Sequence, residues 1–180
     1  MIKLELRQLT EEQWPEIIEI YKDSFPKREQ KPLFVLKHSV KTGKIKIFAA
    51  LEEEKILGFA ATIPYKNMVM VDYLAVSKNV RSKGTGSFIL NGICEHFSGR
   101  KIVLLIERVG TNAENEEQRV SRRKFYLKNG FCSSGIFMVD KGGEMEVMNF
   151  QGKVTPKDFI ELQKYTLEWL FYKLSGTKLL

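Results

Sequence analysis

A short basic loop with two glycines carries the most specific chemical signal in this sequence. The loop reads R-S-K-G-T-G from Arg81 to Gly86. Its cationic side chains, Arg81 and Lys83, can form charge-assisted hydrogen bonds with anions. An amphipathic run follows directly, so the loop is predicted to enter a helix. Because free N–H groups at a helix start favour negative charge, we predict a phosphate-binding turn.

A strand is predicted immediately before this loop. Residues 71–76 read V-D-Y-L-A-V, an apolar run rich in β-forming residues. The helix after the loop carries Ile89, Ile93 and Phe97 at helical spacing. Two other phosphate-binding turns share the order strand, loop, helix. A dinucleotide-binding turn would need a third glycine at Ile89, and a P-loop would need G-x-x-x-x-G-K-[ST], which is absent.

The strand L-A-V, followed by R-S-K-G-T-G at the start of a helix, resembles motif A of the GNAT superfamily of N-acetyltransferases. That motif is written R/Q-x-x-G-x-G/A, and Arg81, Gly84 and Gly86 fit it. The resemblance implies that the loop binds the pyrophosphate of acetyl-CoA. It also implies that the backbone of the preceding strand, at a β-bulge, positions the thioester. The implied cofactor-binding residues are Leu74, Ala75, Val76, Arg81, Ser82, Lys83, Gly84, Thr85, Gly86 and Ser87.

Tyr126 is the candidate general acid. It lies in F-Y-L-K-N-G-F, near the end of a predicted helix. This segment resembles the GNAT helix whose tyrosine hydroxyl lies near the sulfur of CoA. Acetyl transfer to an amine releases a thiolate that must be protonated or stabilised, and the resemblance implies that Tyr126 donates this proton. The alternative is a tyrosine packed against the sheet as part of the core.

Glu107 is the candidate general base. It ends the strongly apolar strand predicted for residues 101–107, and some GNAT proteins carry here a glutamate that deprotonates the amine. The alternative, equally open, is a strand-end carboxylate that faces solvent. The asparagine that often precedes the family's tyrosine is replaced in register by Arg119, and Asn115 matches it only loosely.

Periodicity along the chain predicts an α/β (α+β) fold. The predicted order is β-α-α-β-β-β-α-β-α-β-β with one extra C-terminal helix, which matches the GNAT acyl-CoA N-acyltransferase core over residues 1–150. We therefore expect a mixed central sheet of about seven strands flanked by helices. The length of 180 residues predicts a single GNAT-type domain, with its core in residues 1–150 and a helical extension in residues 151–180.

The composition is that of an ordinary globular protein, with 43% apolar and 28% charged residues. No apolar run is long enough to span a bilayer, and the alternating N-terminus, M-I-K-L-E-L-R, indicates a strand rather than a signal peptide. Cys94 and Cys132 lack metal-ligand spacing, so we expect reduced thiols, a cytoplasmic location and no metal. The net charge of +7 suits an anionic ligand such as CoA, and no nucleic-acid motif accompanies it.

The leading hypothesis is an acetyl-CoA-dependent N-acetyltransferase, an acyltransferase that moves the acetyl group directly to a primary amine in a ternary complex. A small molecule is favoured over a protein as the acceptor, and neither nucleic acid nor membrane is an expected partner. The alternatives are a CoA-binding sensor or protein-interaction module without turnover, and an RNA-binding protein that uses the basic surface. Acceptor specificity is expected from the first two helices, with the loop from Phe25 to Lys31, and from the loop at residues 108–115. The terminal helix is expected to cover the core or to form a homodimer contact.

Overall fold

The computed structural model describes residues 5–80, 84–140, 142–167 and 176–180. The strands are β1 (Glu5–Gln8), β2 (Lys46–Glu52), β3 (Lys55–Tyr65), β4 (Met68–Val76), β5 (Lys101–Glu107), β6 (Cys132–Asp140), β7 (Gly143–Phe150) and β8 (Lys178–Leu179). The helices are α1 (Trp14–Ser24), α2 (Leu33–Lys41), α3 (Thr85–His96), α4 (Glu116–Lys128) and α5 (Pro156–Leu167). This order confirms the predicted α/β class and the extra C-terminal helix.

The strands form one mixed sheet in the order β1-β2-β3-β4-β5-β7-β6-β8. β5 pairs in parallel with β4, from Met68 opposite Lys101 to Met70 opposite Val103, and antiparallel with β7. Because β5 has a neighbour on each side, its apolar run is mostly buried, as its composition predicts. The eighth strand was not predicted, because β8 consists of only two residues.

The chain divides into two compact units. Unit 1 comprises Met1–Pro64 and Val71–Ser98, and unit 2 comprises Tyr65–Met70 and Gly99–Leu180. In unit 1, Phe48 of β2 pairs with Ala60 of β3, and Phe59 pairs with Ala49. Cross-strand partners share a face and successive residues alternate, so the two phenylalanines project from opposite faces.

Helices cover both of these faces in unit 1. The ring of Phe59 lies 6.4 Å from that of Tyr21 in α1, whereas the ring of Phe48 lies 5.9 Å from that of Phe97, directly after α3. All four side chains are buried. The burial of large aromatic rings on both sides of β2 and β3 therefore supplies much of the apolar core of this unit.

The C-terminal helix covers part of the core of unit 2. Phe159 and Leu162 of α5 are completely buried, and Tyr165 stacks on Tyr65 with 4.5 Å between ring centroids. The helix thus covers the core, which was one of the two roles expected from the sequence. The other role, a homodimer contact, stays a prediction. Residues 168–174, which were also predicted to be helical, lie outside the described residues.

Two element boundaries need a physical explanation. β3 continues through Pro64 to Tyr65, although proline has no N–H to donate to a neighbouring strand. The ladder between β2 and β3 reaches only Thr62, so the proline lies beyond the residues that β2 pairs with, where a missing N–H is tolerated. α3 begins at Thr85, earlier than expected, because Gly84 already serves as its N-cap.

Gly58 of β3 lies against the end of β4. The N–H of Ser77 donates a hydrogen bond to the Leu57 carbonyl oxygen, 2.8 Å away. A Cβ atom at Gly58 would lie 2.5 Å from the Ala75 carbonyl oxygen and 3.1 Å from the Cα of Val76. Ordinary side chains do not fit at such distances, so this approach of two strands requires glycine.

We expect Gly58→Ala to lower the free energy of unfolding by about 2 kcal/mol, because the added methyl group must displace the Ala75 backbone. Urea unfolding of the purified protein measures this loss. Ala60→Gly, in the same strand, is the control. It measures how the exchange of alanine and glycine in β3 changes the free energy of unfolding. An unchanged unfolding free energy in Gly58→Ala would contradict the close approach.

Candidate active site

α3 begins with open backbone donors. Its N-cap, Gly84, has φ +79° and ψ 0°, and no side-chain hydrogen bond from the described residues caps the helix. Phe88 makes the first helical hydrogen bond, to the Gly84 carbonyl oxygen at 2.9 Å. The N–H groups of Thr85, Gly86 and Ser87 therefore have no acceptor within the helix. Three converging N–H groups at the positive end of a helix form a donor set that fits a diphosphate.

The cationic half of the predicted loop, Arg81, Ser82 and Lys83, lies outside the described residues. Its contacts with a phosphate stay a prediction. The chain enters this half through a 3-10 turn at Lys78–Val80, and the Lys78 ammonium pairs with Asp23 at 3.1 Å.

The predicted thioester-positioning residues form the end of β4. Ala75 is buried, whereas Leu74 and Val76 are half-buried, so their side chains alternate between two faces. The β-bulge that the resemblance implies for this segment stays a prediction. A register shift does occur in unit 1, between Ala50 and Leu51 in the ladder of β2 and β3.

The connection between α1 and α2 is tied to β4 by a small polar network. The Lys31 ammonium lies 2.5 Å from Asp72 Oδ2 and 5.0 Å from the centre of the Tyr73 ring. The backbone N–H of Lys31 donates to the hydroxyls of Tyr21 at 2.7 Å and Tyr73 at 3.2 Å. The segment in which acceptor specificity is expected is therefore anchored through both its backbone and a charged side chain.

Tyr126 lies near the end of α4 among aromatic rings. Its ring centroid is 5.1 Å from that of Phe125 and 5.8 Å from that of Phe131, and the residue is only 9% exposed. Burial raises the pKa of Tyr126 to about 12, against the lowering effect of the nearby Arg122 charge. The hydroxyl is protonated at neutral pH, as an ordinary tyrosine is, and a proton donor requires this state.

Glu107 ends β5, and its carboxylate faces α4. Its Oε1 accepts hydrogen bonds from Arg119 at 3.0 Å and Asn115 at 3.3 Å. Its Oε2 accepts from Arg122 at 3.1 Å and from Asn115 at 3.2 Å. Since the side chain is 19% exposed, the solvent-facing carboxylate considered from the sequence is not found. Four donor contacts occupy the lone pairs with which a general base would act.

The contacts of the α4 arginines were not predicted from the sequence. Arg119, Arg122 and Tyr126 follow the spacing i, i+3, i+7, which places them along one helical face. This pattern is the signal that could have identified the cluster. Arg123 instead donates to the buried carboxylate of Glu146 at 2.8 Å. Burial opposes ionisation of Glu146, but the hydrogen bond from Arg123 prevails and lowers its pKa.

Other reactive groups are sparse. Within the described ranges, no group of three or more His, Cys, Asp or Glu side chains could hold a metal ion. Cys94 and Cys132 are free thiols, the first buried and the second exposed. The helices that the structure describes include none that is long and apolar enough to cross a membrane.

A family model described as "Acetyltransferase (GNAT) domain" matches residues 43–133. No curated protein matches the sequence. Among solved structures, a protein assigned to the GNAT family from Bacteroides thetaiotaomicron is similar at 21% identity and TM-score 0.74, covering 93% of this chain and 98% of that chain. The ribosomal-protein-S18-alanine N-acetyltransferase from Escherichia coli is similar at 14% identity and TM-score 0.61, with 87% and 98% covered. Arabidopsis thaliana Naa50, in complex with the bisubstrate analogue CoA-Ac-MVNAL, is similar at 18% identity and TM-score 0.62, with 84% and 100% covered. At these identities the solved structures establish the fold.

We expect stability to fall at alkaline pH, because buried tyrosine and cysteine side chains are held in their neutral forms. Burial raises the pKa of Tyr73 to about 12, of Cys94 to about 11 and of Tyr126 to about 12. A group whose pKa is raised by folding stabilises the protein fully below its unfolded pKa and ceases to do so above its folded pKa. The free energy of unfolding should therefore decline between about pH 9 and pH 12.

Urea unfolding at a series of pH values measures this decline. Tyr126→Phe should remove the contribution of Tyr126 and make the decline shallower. An unfolding free energy that is constant over this range would contradict the burial of these groups in neutral form.

Proposed function

This chain belongs to the GNAT family of acetyltransferases and is thus an acyltransferase, and on that premise we propose that it transfers the acetyl group of acetyl-CoA directly to a primary amine in a ternary complex. The observation that carries the proposal is the helix start at Gly84. It lies within the region that the family model matches and presents uncapped donors in the place of motif A. Bound acetyl-CoA would supply an activated acetyl thioester.

The residues around Gly84 fit the anionic part of acetyl-CoA. Gly84 is exposed, and a Cβ atom there would meet no atom of the described residues within 4 Å, so the described part of the helix start is open to a ligand. The N–H groups of Thr85, Gly86 and Ser87 would hold the pyrophosphate, together with Arg81 to Lys83. The backbone of Leu74 to Val76 would orient the thioester, as the family resemblance implies.

Tyr126 would act as the general acid. The phenol is protonated at neutral pH, since an unperturbed tyrosine has a pKa of about 10 and burial raises the pKa of Tyr126 further. A protonated hydroxyl can donate to the departing thiolate, which would otherwise leave as an unstable anion. The ring of Tyr126 packs against Phe125 and Phe131, and this packing would fix the direction of the hydroxyl. Tyr126 would thus be both a core residue and the proton donor.

Glu107 retains its predicted role as general base only if it releases one of its present contacts. Its bonds to Asn115, Arg119 and Arg122 favour a different role, as the anchor of the two arginines. An amine that approaches Glu107 would compete with these donors for the same oxygens. Deprotonation of the amine by water or hydroxide is consistent with this anchored state.

A small primary amine is the proposed acceptor. The anchored connection between α1 and α2, tied down through Lys31, would form one wall of its site. A peptide N-terminus is the second candidate, because one similar structure is named for the acetylation of a ribosomal protein and another is bound to a peptide-containing analogue. An amine library that includes short peptides, assayed by thiol release from acetyl-CoA, separates the two classes. Binding of acetyl-CoA without thiol release from any amine would favour a CoA-binding module.

We expect isothermal calorimetry to detect acetyl-CoA binding, and Gly84→Ala to weaken it roughly tenfold. Alanine at the positive φ of Gly84 costs about 1–2 kcal/mol and turns the donors of α3 away. Gly43→Ala is the matched control, since Gly43 has φ +76°, similar to the +79° of Gly84, and neither would place a Cβ within 4 Å of another atom. Both variants should lose similar stability, and only Gly84→Ala should lose affinity. Absence of binding to the wild-type protein at millimolar acetyl-CoA would contradict the proposed function.

We expect Tyr126→Phe to lower kcat about 100-fold or more with the amine that the library identifies, because the departing thiolate loses its proton donor. Affinity for acetyl-CoA should stay unchanged, since the phenol acts on the reacting end of the ligand. Tyr65→Phe, which removes a hydroxyl at the end of β3, serves as the control. Full turnover in Tyr126→Phe would remove the acid role and leave the proposed reaction standing.

A further inference from the structure

Arg122 connects the two residues that the sequence singled out for catalysis. Its Nη1 lies 3.1 Å from Glu107 Oε2. Tyr126 follows four residues later in α4, and side chains at this spacing are neighbours on a helix surface, with about 5–6 Å between their Cβ atoms. Arg122 is therefore paired with the carboxylate of Glu107 and is also a neighbour of Tyr126 on the surface of α4.

Glu107 is a fixed point to which Arg122 can be held. On its other side the carboxylate is bound by Arg119, whose side chain is 15% exposed. Arg119 also donates to Asn115 Oδ1 at 2.8 Å and to the Arg108 carbonyl oxygen at 3.1 Å. These bonds immobilise Glu107 without any help from Arg122.

Arg122 itself contributes little to the stability of this cluster. Its side chain is 48% exposed, and an ion pair of that exposure stabilises a protein only slightly. If Arg122 were removed, Glu107 would still accept hydrogen bonds from Arg119 and Asn115. The position of Arg122 is thus better explained by what its charge does to its neighbour on the helix.

We propose that Arg122 is a positioning residue for the general acid: Glu107 holds its guanidinium one helical turn before Tyr126, where its positive charge favours release of the phenolic proton. This inference rests on the proposed function, because it specifies how the acid step of that reaction is assisted. In that step the O–H bond of Tyr126 breaks, an S–H bond forms on the leaving thiol, and the negative charge passes to the phenolate. The proton lost by the acetylated amine restores the phenol through solvent.

Among the described neighbours of Tyr126, Arg122 is the charged residue that affects ionisation of the phenol. Its ring neighbours, Phe125 in the same helix and Phe131 before β6, are neutral. Among the described residues, Arg122 supplies the charge that lowers the pKa of Tyr126 against the effect of burial. Lys124 also belongs to α4, but it lies two positions from Tyr126, and residues at that spacing do not face each other.

The ionisation of residue 126 tests the proposal in the full chain without acetyl-CoA. Site-specific incorporation of 3,5-difluorotyrosine at position 126 brings the titration closer to neutral pH and gives one fluorine NMR signal to follow. We expect Arg122→Gln to lower the acid dissociation constant of this residue roughly threefold. Arg122→Lys should restore most of the wild-type value. Lys124→Gln, which removes one positive charge from an exposed site on another face, should leave it unchanged.

Equal effects of Arg122→Gln and Lys124→Gln, or no effect of either, would overturn the proposal. Since Arg122 is exposed, the variants should fold, and circular dichroism confirms that they do. With an active amine, Arg122→Gln should also lower kcat at constant KM for acetyl-CoA. The titration needs no turnover, so a chain that shows the expected shift yet transfers no acetyl group would refute the proposed function and leave the electrostatic coupling intact.

Discussion

The close approach of β3 to the end of β4 at Gly58 is the constraint that fixes both neighbours of the proposed phosphate-binding turn. A side chain at Gly58 would collide with the Ala75 carbonyl oxygen at 2.5 Å and would also meet Ile89 Cδ1 at 3.0 Å. Ala75 precedes the turn and Ile89 follows it. The strand that enters the turn and the helix that leaves it therefore both rest on the same glycine. The register between β2 and β3 also shifts here, since Ala50 pairs with Gly58 whereas Leu51 pairs with Ile56.

A second set of interactions that organises the structure is the pairing of the arginines of α4 with two glutamates. Arg123 neutralises Glu146, which is 2% exposed, and loss of Arg123 would leave an uncompensated charge in the core. Arg119 and Arg122 share Glu107, so that cluster carries one more positive than negative charge. Neighbouring residues of one helix thus have different tasks. Arg123 serves the core, whereas Arg122 faces the side of the helix that carries Tyr126.

Local patterns predicted most of the fold, because the determinants of each element are close together in sequence. The strand, turn and helix around Gly84 could be predicted from alternation, glycine spacing and helical periodicity. The partners of Glu107 could not, since they depend on which face of α4 turns toward β5. The role of Gly58 was also invisible, because it requires β3, β4 and α3 to meet at one point. β8 was missed because two residues are too few to show a period.

Two segments are expected to select the acceptor, and one of them, α1 and α2 with their connection, lies outside the part of the chain that is proposed to carry the reaction. The region that the family model matches, residues 43–133, contains the turn at Gly84 together with Glu107 and Tyr126. α1, α2 and the connection between them precede that region. They are nevertheless fastened to it, because Lys31 pairs with Asp72 and its backbone bonds to the hydroxyl of Tyr73. Asp72 and Tyr73 lie directly before Leu74 on β4, so the segment proposed to select the amine is anchored next to the backbone proposed to orient the thioester.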